Sequence, residues 1–108
     1  MSSEIRLAFL QDPELLRIFG QGRSDPESLS PAELSRFMVS CTLLFEHLAF
    51  AFDRRREGIA DWSSFEHYLT DYASAPGVQV WWERHGRRIF SAAFVAEVER
   101  TIEAARGA

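Results

Sequence analysis

The chain has 108 residues, 46% of them hydrophobic, with nine Phe, three Trp and two Tyr. This is enough bulky apolar material for one core, and the single expected domain spans 1–108 without a structural metal or disulfide. The formal net charge of −4 lacks the basic excess of a typical nucleic-acid-binding domain, and one cysteine excludes an internal bridge.

Helix punctuation runs through the whole sequence. Residues 4–10 read as a turn or two of helix with Ile5, Phe9 and Leu10 inward. Asp12-Pro13-Glu14 then sets a capping carboxylate before a proline at the first helical position. The expected helix, 14–19, is short and stops at Gly20 or Gly22. A polar connection containing Pro26 follows over 24–28.

Ser30-Pro31-Ala32-Glu33 is a capping box, in which the Ser30 hydroxyl accepts from the Glu33 amide and Glu33 reaches back to the Ser30 amide. No Gly or Pro interrupts the chain from there to Gly58, a natural left-handed stop. The expectation is one long central helix over about 31–57, with Arg54, Arg55 and Arg56 in its last turn. Projected at about 100° per residue, Leu34, Phe37, Met38, Cys41, Phe45, Leu48, Ala49 and Phe52 form a broad core face. Val39, Leu43 and Phe50 gather on the opposite side, a second stripe that needs cover from this chain or from a partner.

Asp61 caps a third helix with Trp62, Phe65, Leu69 and Tyr72 at three- and four-residue spacing. Pro76 ends it, because the residue before a proline leaves helical geometry. A fourth helix is expected over 77–87, and Ser91 caps a fifth carrying Phe94, Val98, Ile102 and Ala105, frayed at Gly107. The fold class is therefore all-α, a compact bundle of about five helices around the central one. Only residues 78–81 alternate at all, too briefly for a strand.

Chemistry-bearing residues are few. Di-metal helical bundles use Glu-x-x-His, which puts both ligands on one face. Here Glu46-His47 and Glu66-His67 are adjacent and aim differently, and Glu83 and His85 are splayed further. Cys41 falls in the core stripe, where a thiol is inert. There is no phosphate loop, nucleophile elbow or Cys-x-x-Cys, so neither a cofactor nor a metal is expected.

Two surface features remain. Arg54, Arg55 and Arg56 end one helix, and Arg84, Arg87 and Arg88 end another. Brought together they would make an anion patch for lipid headgroups or an acidic partner; the favoured reading is that they complement helix carbonyls and pair with Asp53, Glu57 and Glu83. Trp81 and Trp82 are neighbours on one helix, so one of them, Trp82, is expected nearer the margin, either at an interface or, the favoured reading, packed in the core against Trp62 or the Ile89-Phe90 corner.

Taken together, Asp12-Pro13-Glu14-Leu15, Arg55-Arg56-Glu57-Gly58, Trp62, Pro76-Gly77, Trp81-Trp82 and Phe90-Ser91-x-x-Phe94 resemble an uncharacterised group of small bacterial helical proteins. The similarity covers about residues 7 to 100. It implies a helical domain that in many members follows one N-terminal transmembrane helix, a tether this sequence does not display, and it implies no activity.

The functional expectation is a non-enzymatic helical interaction domain in the cytoplasm, or the soluble part of a tethered protein. Its surface would be Val39, Leu43, Phe50 and Trp82, facing a protein partner or a second copy. One alternative is a peripheral membrane module using the six arginines. Another is a ligand-binding domain with a pocket near Trp62, His67, Trp81 and His85.

Overall fold

A computed structural model describes residues 11–58 and 61–107; the expected helical turns at 4–10 lie outside them. Five α-helices are described: α1 (Pro13–Ser24), α2 (Pro31–Asp53), α3 (Trp62–Ala73), α4 (Pro76–Arg84) and α5 (Ala92–Gly107). Short 3-10 turns, Pro26–Ser28, Arg55–Glu57 and Gly86–Arg88, join α1 to α2, follow α2, and join α4 to α5. No strand occurs among the described residues.

The caps are made as the sequence implies. Asp12 Oδ1 accepts from the Leu15 amide at 3.1 Å. Ser30 Oγ accepts from the Glu33 amide at 3.2 Å, and Glu33 Oε1 accepts from the Ser30 amide at 2.9 Å. Asp61 Oδ1 accepts from the Ser63 amide, and Ser91 Oγ from the Phe94 amide. Each satisfies a first-turn donor that has no partner within its own helix.

Helix α1 departs from expectation. It runs through Gly20 and Gly22 to Ser24. Gly22 is a packing glycine: a Cβ there would lie 2.4 Å from the Phe37 ring. A Cβ at Gly77, in the first turn of α4, would stand 1.8 Å from the Gly22 carbonyl oxygen. Backbone therefore meets backbone where α1 crosses α4, and side chains are excluded from the contact.

Helix α2 ends at Asp53, short of the expected 57. The chain tightens into the Arg55–Glu57 turn before Gly58 takes the left-handed conformation at φ 70°. Arg54 is thus the cap of α2, and Arg55 and Arg56 belong to the turn. The inward face of α2 carries Phe37, Cys41, Leu44, Phe45, Leu48, Ala51 and Phe52, all buried, with Leu34, Met38 and Ala49 at its edges.

Helix α4 ends at Arg84, three residues earlier than expected. It is nevertheless the centre of the core. Trp81 and Trp82 are both 0% exposed, so Trp82 is not a marginal residue. The expectation of one inner and one outer indole assumes a helix with a single covered side. Here α4 is covered on two flanks while Pro76, Glu83 and Arg84 stay exposed: Trp81 packs on Phe45 of α2 with ring centroids 4.8 Å apart, while Trp82 stacks on Phe90 and also approaches Phe45. The Phe90 ring meets Phe94, and Phe94 meets Phe52, closing an aromatic circuit from α5 back to α2.

Candidate interaction surface

The capping box starts α2 in a register that turns Val39, Leu43 and Phe50 away from the core. Val39 is 59% exposed, Leu43 49% and Phe50 55%. At 3.6 residues per turn they lie within about 40° of one another, a single line along the helix. Glu46 is exposed on the same line. The Arg54 guanidinium lies over the Phe50 ring, 3.6 Å from its centroid, and puts a cation at the C-terminal end of the stripe. Single exposed apolar residues are ordinary on any surface. Three in register on the rod whose other side makes the core are a patterned feature.

The fourth expected member, Trp82, is not on this surface, because it has no exposed area. Its indole Nε1 has no hydrogen-bond partner among the described residues. The ring lies beneath a groove of about 330 Å³ between α4 and α5, whose walls are Glu83, Glu99, Ile102, Glu103 and Arg106. By contrast, Trp81 Nε1 donates to Thr42 Oγ1 at 3.3 Å.

The six arginines have separate occupations. Arg54 covers Phe50; Arg55 stacks on Phe52 and donates to the Phe52 carbonyl at 2.6 Å. Arg87 pairs with Glu83 at 3.2 Å and with Glu99 at 3.0 Å. Arg84 lines a shallow groove with Glu83 and Arg106, and Arg56 and Arg88 are exposed. Two carboxylates offset Arg87, and the aromatic contacts of Arg54 and Arg55 bind those side chains to the end of α2.

The region expected to hold a ligand pocket is filled. Trp81 occupies it against Phe45, and Trp62 is stacked with Phe65 and edge-on to Phe52. His67 lies in a shallow surface groove with Ser63, Glu66 and Thr70, and His85 is exposed beyond the end of α4. Among the described residues no group of three or more His, Cys, Asp or Glu is placed to hold a metal ion. Cys41 is 1% exposed, and burial pushes its thiol up to about 12.

By length and composition α2 is long and apolar enough to cross a membrane, with a mean hydropathy of 1.2 over its most apolar window. Its inward face belongs to the core described above. No family model, curated protein or solved structure matches this chain.

Proposed function

We propose that this domain is a non-enzymatic helical interaction module that engages a protein partner along the exposed stripe of α2. One observation carries the reading. Val39, Leu43 and Phe50 stay half or more exposed in one line on a helix whose opposite face is fully committed to the core. Covering each of them contributes about 1 kcal/mol, and the rigid rod behind them means little order is lost on binding. The buried, protonated Cys41 thiol supports a structural role for that residue.

Insertion of α2 into a bilayer is the competing use of an apolar helix. It would require Phe45, Leu48 and Phe52 to abandon Trp81, Trp82, Trp62 and Phe94, so the protein-partner reading is the better supported.

The test is a photo-crosslinking amino acid at position 43, activated in the cell that makes the protein, with position 104 on α5 as an exposed control. A discrete protein adduct at 43 and none at 104 is the expected result. Absence of any protein adduct at 43 overturns the reading.

A further inference from the structure

Resting on that reading of α2, we propose that the partner is a second copy of this chain, laid antiparallel along α2 about a two-fold axis at the level of Cys41. The exposed line of α2 is longer than its three apolar members. Ala32, Arg36, Val39, Leu43, Glu46 and Phe50 follow one another at intervals of four, three, four, three and four, and all six are exposed. Alternation of three and four is the spacing of a two-helix seam. The intervals also read the same in both directions, which is what an antiparallel pairing of identical helices requires.

In a two-fold interface residue i meets residue j, and j meets i. Antiparallel pairing about Cys41 sets Ala32 opposite Phe50 of the other copy, Arg36 opposite Glu46, and Val39 opposite Leu43. Every layer is then complementary: small against large, cation against anion, aliphatic against aliphatic. A parallel seam in register would stack Arg36 on Arg36 and Glu46 on Glu46, a like-charge cost at two layers. Sliding the antiparallel pair by one heptad sets Arg36 against Asp53 but strands the Glu46 carboxylate on Leu43. Charge and size together select one orientation and one register. Arg36 also donates to Asp12 at 3.0 Å with about half of its side chain exposed, which holds its guanidinium near the α1 edge of the seam.

The seam from Ala32 to Phe50 is about 27 Å long. Two helices touching over that length bury on the order of 900 Å² in total, below the standard size for stable complexes. The dimer is accordingly of the weak, transient class, and self-association follows the local concentration of the protein.

Sedimentation velocity of the full chain between about 5 μM and 1 mM tests this, with circular dichroism to verify that each variant is folded. The wild-type chain is expected to shift from monomer to dimer across the range. Arg36→Glu and Glu46→Arg each place like charges in two layers and weaken the dimer at least tenfold. Mixed one to one, the two variants satisfy all layers only in the heterodimer, and association recovers to within about threefold of wild type. A monomer at 1 mM overturns the proposal, as does a mixture no better associated than its components. The crosslink at position 43 separates this proposal from the reading it rests on. An adduct of twice the chain mass supports the second copy, a protein adduct of another mass overturns self-pairing and leaves the interaction reading standing, and no adduct overturns both.

Discussion

Gly77 lies so close to Gly22 that a Cβ on the former would come within 1.8 Å of the latter's carbonyl oxygen. Neither partner in this contact is a flexible side chain, so nothing can swing aside. Gly77→Ala is expected to push α4 from α1 and to destabilise the fold by about 3 kcal/mol or more. A Cβ at Gly20, two residues before Gly22 on α1, meets nothing within 4 Å. Gly20→Ala is expected to stabilise by about 0.5 to 1 kcal/mol through helix propensity alone. Urea unfolding of the two variants beside the parent checks both signs.

The three tryptophans report on separate environments. Trp81 and Trp82 are sealed and Trp62 is half-buried at the edge of α3. Acrylamide is expected to quench a minor fraction of the native emission, and Trp62→Phe is expected to abolish most of that fraction. Strong quenching that survives the substitution would contradict the burial of Trp81 and Trp82.

Cys41 links stability to alkaline pH. Its folded value is raised to about 12, above the ordinary thiol range, because the thiolate would be stranded in the core. The folded chain therefore keeps a proton that the unfolded chain releases above roughly pH 8.5. Stability is expected to decline as pH rises through that value and on toward 12, and Cys41→Ala is expected to flatten the slope. Native Cys41 is also expected to resist thiol reagents at pH 8 and to react at once in denaturant.

The Ser30 cap offers an acid-side counterpart. Glu33 is held below the usual carboxylate range first by the Ser30 amide and then by Arg17. A depressed carboxyl adds stability that is present above its unfolded value and is lost as pH falls through the lower folded one. Ser30→Ala is expected to cost about 1 kcal/mol at pH 7. Glu33→Gln is expected to be less stable than the parent at pH 7, with the gap narrowing as the pH drops below about 4. Thermal melts across that range measure both.

The parts of this fold legible in the sequence are those fixed by local chemistry. Asp12, Ser30, Asp61 and Ser91 each mark a helix start because the capping oxygen and the amide it accepts from are two or three residues apart. The stripe of α2 was readable for the same reason, since its angle follows from helix geometry alone. What failed depended on neighbours remote in the chain. Gly22 resembles a stop signal until α4 is seen lying against it, and while the nearby Phe90 corner was a readable neighbour for Trp82, the remote Phe45 was not. Of the arginine pairings, the one between Arg87 and Glu83, four residues apart, was readable, whereas Glu99, which also pairs with Arg87, lies on another helix. No local pattern encodes the remote meetings.

The two indoles that close the core sit three-quarters of the way along the polypeptide, well after the rod they cover. At synthesis rates of about 5 to 20 residues per second, some 2 to 7 s separate the appearance of Phe45 from that of Trp81. Throughout that interval α1 can already cover Phe37 through Phe19, but Phe45 lacks both of the indoles that cover it in the finished fold. A chain cut short before residue 81 would therefore leave Phe45 open to water, and its core is expected to be readily opened to proteases.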